Sequence, residues 1–353
     1  MFRAEGTCQK LPTRLAGIAG CFSRWQPTDT IDWFARFGVT LKAEADGRMF
    51  PTTDRSDTVI DCFLNRAREC RIPLFRNHPL IGIRQGDDDC FVLEFGNEVA
   101  PVLARSVCFA TGSLKASPLL TQLEKLNQPT ETLVPSLFAF NVKDPRLNDL
   151  AGVAHPWVAI RREGQKSPQL GPLLITHRGV SGPAVLRLSA WEARELAQSD
   201  HQFTFLIDWL PEIEVAKLKE RFADIRQNQG AKLIRNTPIQ PIPRRLWERI
   251  VTCCGIDDQI TWGHLSKTAI HKLLEALKAA SFHAEGKTTN KDEFVTAGGI
   301  QRHSIDFRTM ESRVTPGLFF VGECLDIDGI TGGFNFQAAW TTAHIAATAL
   351  ARR

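Results

Sequence analysis

The chain has 353 residues, enough for two domains of ordinary size. Its 43% hydrophobic and 23% charged content is that of a folded globular protein and excludes a disordered one. A net charge of +4, with Lys and Arg interspersed among Asp and Glu, argues against a dedicated nucleic-acid binder and for a small-molecule substrate.

No apolar run reaches the roughly 18–20 residues of a membrane helix, and Met1 to Gly6 has no apolar signal core. The expectation is a cytoplasmic protein with no membrane partner. The nine cysteines show neither Cys-x-x-Cys nor zinc spacing, so they read as reduced thiols, mostly in the core, and no metal is expected. The absence of tyrosine removes any mechanism that needs a Tyr acid or base.

In chain order, Thr28 caps a helix that carries Ile31 and Phe34 and stops at Gly38. An extended piece from Val39 to Glu44 leads into the turn Asp46-Gly47. A second helix runs from Ser56 to Cys70, with Val59, Ile60, Phe63, Leu64 and Ala67 at helical spacing. Ile81–Ile83 and Cys90–Phe95 flank an Asp-rich turn as a hairpin, and Arg105–Ala110 follows as a short buried strand ending in Thr111-Gly112. Prolines and short extended pieces (133–142, 157–161, 173–176, 203–209) then suggest an antiparallel β unit. A helix opens at Ser181-Gly182-Pro183 with Ser181 as cap, and further helices are expected over 215–226, 243–253 and 267–280. From Glu293 the α/β character returns with strand Leu318–Val321, a Gly-rich loop and a closing helix over 335–351. This predicts an α/β domain (1–130 and 293–353) interrupted by an insertion (131–292), with a β part to about 210 and a helical part after it.

The segment from Gly317 to Asn335 carries the chemistry. A buried strand ends in Gly322-Glu323, the chain loops through Asp326 and Asp328, and a helix begins after Gly332-Gly333. Open α/β sheets place ligands at strand ends, where a carboxylate accepts hydrogen bonds from sugar-like hydroxyls. Paired glycines let backbone approach a flat ring, and the positive end of the next helix stabilises negative charge. Reduced flavin develops such charge around N1 and the C2 carbonyl. Elsewhere, His177 and Arg178 are weak candidates to meet an anionic substrate, and Arg48 is a candidate for a diphosphate or an acid. Glu311 and Arg313 read as structural, joining the insertion to the α/β domain, and Arg244-Arg245 beside Trp247 as a solvated helix face. Ser181 has no Gly-x-Ser-x-Gly elbow and no assignable base, which excludes a hydrolase.

Val295–Ile300, Thr309–Ser312 and the Gly317–Asn335 segment resemble the C-terminal signature of a bacterial NAD(P)/FAD-dependent oxidoreductase family with aminoacetone-oxidase-like and bile-acid-reductase-like members. Asp46–Pro51, Ala110–Gly112, Leu150–Val153 and Thr176–Pro183 fall in that family's order, and the similarity runs from about Leu15 to Ala347. The resemblance implies a two-dinucleotide-binding-type FAD domain with an inserted β-barrel-like plus helical domain. It places Ala110, Thr111 and Gly112 against FAD, Gly322, Glu323 and Asp326 near its ribityl and phosphate groups, and Gly332, Gly333, Phe334 and Asn335 beside the ring. Phe334 stands where relatives often carry Tyr.

Relatives also open with a strand, a Gly-x-Gly-x-x-Gly turn and a helix, a unit of about 30 residues with an acid about 20 beyond the glycines. The 353 residues contain no such fingerprint; Gly17-Ile18-Ala19-Gly20 lacks the third glycine and a preceding strand. The expectation is an FAD domain incomplete at its N-terminus, FAD affinity lowered by orders of magnitude, and an exposed sheet edge. A homodimer is a candidate assembly. Two functions remain open: an FAD-dependent oxidoreductase, with NAD(P)H as a candidate donor, or a non-catalytic relative that acts through protein interaction.

Overall fold

Pro27 and Asp29 start the first long helix of the computed structural model, which describes residues 19–45, 47–115, 117–288, 295–330 and 332–353. Helix α1 (Ala19–Phe22) includes two residues of the Gly17–Gly20 stretch; Gly17 and Ile18 lie outside the described residues. In α2 (Pro27–Arg36) the N-cap is Gln26, whose N–H donates to the Asp29 carboxylate at 2.6 Å. Pro27 takes N1, where its missing N–H costs nothing, so Thr28, the expected cap, lies inside the helix. Strands β1 (Leu41–Ala43) and β2 (Met49–Pro51) pair antiparallel around the expected turn, of which Asp46 lies outside the described residues. Helix α3 (Asp57–Glu69) starts after Ser56. Strands β3 (Leu80–Gln85), β4 (Phe91–Phe95) and β5 (Val102–Ala104) form an antiparallel sheet, followed by β6 (Val107–Phe109), α4 (Leu119–Lys125) and β7 (Thr130–Pro135).

The expected strand over 133–142 is two strands. Leu137, at φ 56°, breaks it, and β8 (Ala139–Asn141) joins a different sheet from β7. There follow β9 (Ala154–Arg162), β10 (Gln169–Thr176), β11 (Gly179–Ser181), α5 (Pro183–Trp191), α6 (Ala193–Gln198), β12 (Gln202–Asp208), α7 (Val215–Asn228), α8 (Arg244–Cys253), α9 (Lys267–Lys278), β13 (Ala280–Glu285) and β14 (Lys287–Thr288). Gly182, not Ser181, is the N-cap residue of α5. Ala280 leaves the expected helix because it pairs with Ile207 on β12. The β part is one seven-stranded antiparallel sheet, ordered β13-β12-β9-β10-β11-β8-β14. On β12, Phe203, Phe205 and Ile207 alternate inward with the two-residue period of a strand. They meet Phe140 and Phe282 in a core shared with α7, α8 and α9.

The chain then returns through β15 (Thr296–Ile300), β16 (Ile305–Asp306), β17 (Glu311–Ser312), β18 (Leu318–Phe320) and α10 (Phe334–Leu350). Among the described residues, those up to Val134 and from Val295 onward make one compact unit, and those from Pro135 to Thr288 a second. In the first, β15 pairs with β7, and a mixed sheet runs β16-β17-β18-β6. Leu318, Phe319 and Phe320 are all buried, the continuous apolar run of a strand covered on both faces. Phe109 stacks on Phe320 with centroids 5.2 Å apart. Glu311 accepts the Gly317 N–H at 2.8 Å and Arg313 donates to the Ile305 carbonyl at 3.1 Å. Both bonds lie within the first unit.

Buried Gln128 donates to Ser304 Oγ at 2.7 Å and accepts from Ser312 Oγ at 2.6 Å. Gln128→Leu removes both bonds and leaves the Ser312 hydroxyl without its acceptor, while Ser304 keeps its bond to the Gln301 carbonyl, and is expected to cost about 1–2 kcal/mol. Chemical denaturation checks this; an unchanged midpoint would contradict it.

Of the eight described cysteines, all free, only Cys21, Cys62 and Cys324 are buried. The expectation of mostly core thiols is corrected: Cys70, Cys108 and Cys253 are exposed, and Cys90 and Cys254 only partly buried.

Candidate functional site

The site is built at the C-terminal ends of two parallel strands. β6 and β18 run in register, Val107 opposite Leu318 and Phe109 opposite Phe320. The Val321 N–H reaches the Phe109 carbonyl at 3.0 Å. The register brings Ala110-Thr111-Gly112 and Gly322-Glu323 side by side at one sheet edge, the place where open α/β sheets hold ligands. Ala110 and Thr111 are exposed, and Gly112 turns the chain at φ 71°. Among the described residues β6 has β18 on one side and no strand on the other. Cys108, in mid-strand, is exposed.

Two further segments close on this edge. Ser113 Oγ donates to Thr296 Oγ1 at 2.7 Å, which ties the loop after β6 to the start of β15. The end of β15 reaches the loop after β18, where the Asp326 N–H donates to the Ile300 carbonyl at 2.9 Å. The Gly298-Gly299 pair makes this fit. A Cβ on Gly298 would lie 2.3 Å from the Thr132 carbonyl oxygen, and one on Gly299 2.5 Å from that of Cys324. Glycine inside a strand often marks such an approach of two backbones, a signal by which these residues could have been found. The hydroxyl pair had none.

Helix α10 forms the remaining wall. The Gly322 N–H donates to Thr342 Oγ1 at 3.0 Å, and a Cβ on Gly322 would stand 3.3 Å from that of Ala339. The helix starts after Gly332 (φ 118°) and Gly333 (φ 84°). Its first turn has no acidic residue and no side-chain cap, so the positive end of a 17-residue helix is left to a ligand or solvent. Phe334 packs half-buried against the core of its unit. Asn335 faces back along the chain: its Oδ1 accepts the Gly329 N–H at 2.7 Å and its Nδ2 donates to the Gly329 carbonyl at 3.2 Å. It clasps the loop, a role its sequence position did not announce.

The two acids differ. Asp326 is buried and 4.0 Å from Arg302, so a protein cation already faces it. Glu323 is half-buried with no hydrogen-bond partner among the described residues, and burial pushes its carboxyl above the ordinary range. That pattern fits a group that accepts from bound hydroxyls.

The other candidates do not converge here. His177 and Arg178 are exposed at the tight turn between β10 and β11, in the second unit. The Arg48 guanidinium lies 5.4 Å from the centroid of the Phe50 ring. Arg244 pairs with Glu248 at 2.8 Å on an exposed helix face, while Trp247 beside it is buried.

The family described as the HI0933-like protein Rossmann domain matches residues 3–349. The chain belongs to the HI0933-like family. It is 28% identical over 332 residues to the ribosomal RNA dihydrouridine synthase of Escherichia coli K12, a match covering 91% of this chain and 78% of the relative. It is 25% identical over 350 residues to the protein of the same name from Haemophilus influenzae, covering 95% and 82%. It is 25% identical over 334 residues to the 3-dehydro-bile acid delta(4,6)-reductase of Clostridium scindens, covering 92% and 80%. The HI0933-like chain is thus a Rossmann-like α/β protein of a flavoprotein oxidoreductase family. Among its described residues no helix is long and apolar enough to cross a membrane.

Proposed function

We propose that this HI0933-like chain is an FAD-dependent oxidoreductase whose hydride acceptor is a carbon–carbon double bond conjugated with a carbonyl. The observation that carries the reading is Glu323 at the end of β18, half-buried and without a hydrogen-bond partner among the described residues, beside the exposed end of β6 and next to Gly322, which packs against α10. The names of the three relatives support the acceptor class, since dihydrouridine formation and Δ(4,6) reduction each add two hydrogens across a double bond.

FAD, when bound, supplies the two-electron chemistry. Glu323 would accept hydrogen bonds from its ribityl hydroxyls, the Ala110–Gly112 backbone would hold its chain, and Gly332-Gly333 would leave room for its ring. The N-terminal turn of α10 favours negative charge at that edge. No side chain of the site is a convincing general base, which suits hydride transfer. NADH or NADPH is the donor class, losing a hydride as the acceptor gains a hydride and a proton.

The test is optical. Purified protein incubated with FAD is expected to retain a flavin spectrum, to bleach anaerobically on adding NADH or NADPH, and to recover colour with an enone such as cyclohex-2-enone or with uridine-containing RNA. Glu323→Ala removes a charged hydrogen-bond acceptor and is expected to weaken FAD about ten- to a hundredfold by fluorescence titration. Equal affinity in variant and parent would remove Glu323 from the site. Among the described residues β6 has no strand on its outer side, which favours the second reading, a relative with weak or no FAD that acts through protein interaction; a colourless protein that takes up no FAD would support it.

A further inference from the structure

The second unit holds a cavity of about 440 Å³ that the proposed flavin site does not use. It lies among α8, α9, the start of β13 and the Pro145–Leu147 turn, and its wall is Leu147, Trp209, Leu246, Ile250 and Phe282. That size falls in the roughly 300–1,000 Å³ range of small-molecule pockets. A wall of this composition holds an apolar body.

The polar groups are not spread evenly. Arg146 lies flat over the Phe282 ring at 4.0 Å. Its Nε and Nη2 each donate to one oxygen of Asp144, at 2.8 and 2.7 Å, and Nη2 also donates to the Ser281 carbonyl. The guanidinium is thereby fixed in place, with Nη1 still to be satisfied. Lys272, on α9, is exposed and makes no ion pair among the described residues; Glu275, one turn on, makes none either. Both cations also act on the Cys254 thiol at the cavity wall. Burial pushes it up to about 11 and Cys253 adds to the rise, while Lys272 and then Arg146 pull it down by more than Glu275 raises it. The apolar wall is thus joined by two cationic side chains, Arg146, which is paired with Asp144, and Lys272.

We propose that this cavity binds an organic carboxylate with an apolar chain or ring system of about ten carbons, its head beside Arg146 and Lys272 and its body against Trp209, Leu246, Ile250 and Phe282. The site needs neither FAD nor a nicotinamide.

Isothermal titration of the full chain without flavin, using decanoate as probe, tests it. The expected result is saturable one-to-one binding, with decanol at least about tenfold weaker because it lacks the charge. Lys272→Glu, at an exposed position, should weaken decanoate about fivefold or more and leave decanol unchanged. Ala276→Trp, which fills the cavity from its α9 side, should abolish both. If Ala276→Trp does not fold, as circular dichroism will show, Lys272→Glu carries the test alone. Non-saturable heats, decanol equal to decanoate, or an unchanged affinity in Lys272→Glu would each overturn the proposal. None of these outcomes depends on the flavin site.

Discussion

Gly299→Ala is expected to destabilise the first unit by about 3–5 kcal/mol, a large part of the about 5–15 kcal/mol that holds a typical domain folded. Two penalties add. Gly299 has φ 129°, where side chains are rarely accommodated, and its Cβ would lie 2.5 Å from the Cys324 oxygen and 2.9 Å from the Leu325 carbonyl carbon. All of these obstacles are backbone atoms, so no rotamer change relieves them. β15 and the loop after β18 would have to separate, and with them the arrangement that places Glu323. Gly164→Ala is the control: φ is 81° but nothing lies within 4 Å of the added carbon, so the cost should be about 1 kcal/mol. Thermal unfolding of the two variants decides the matter; equal losses would show that the close approach does not constrain the fold.

The second large effect is on acid stability. His155, on β9, is 1% exposed, and burial lowers its pKa from 6.5 to about 4; its Nδ1 accepts the Trp157 N–H. Its Nε2 is buried with no partner. Between pH 6.5 and 4 the unfolded chain binds this proton and the folded chain does not. Stability from this group is therefore complete above pH 6.5, declines as pH falls, and is lost by about pH 4. At 1.36 kcal/mol for each pH unit, the loss is about 3 kcal/mol. His155→Asn, which keeps an acceptor and cannot titrate, should flatten most of the slope of denaturation free energy against pH in this window. A residual slope is expected from His201 and His344, whose pKa values burial also lowers. A variant with the full parental slope would show that His155 is protonated without cost.

Much of the element list was legible because it rests on local patterns. Ser56 ahead of an apolar periodicity placed α3, and the unbroken apolar run Leu318–Phe320 marked a buried strand. The errors are equally local in cause. Thr28 and Ser181 are good caps by type, yet Pro27 and Gly182 took the boundary because backbone geometry outranks side-chain preference at those positions. The division of the expected 133–142 strand followed from long-range pairing, which no window of sequence contains: β7 found β15 more than 150 positions later.

The residues of the candidate site were named from the sequence, but their division of labour was not. Glu323 and Asp326 are two carboxylates three positions apart, and nothing in their spacing says that Arg302 stands beside one while the other has no partner. Asn335 could face a ring or its own loop, and only the fold turns it onto Gly329. The sequence by itself determined which segments are strand, helix and glycine turn, since these follow from periodicity, capping and backbone freedom within a few residues. The tertiary structure alone decided which strand ends lie together, which acid is already paired and which cations line an apolar cavity. Each of these depends on distances between groups far apart in the chain, and a linear pattern does not encode them.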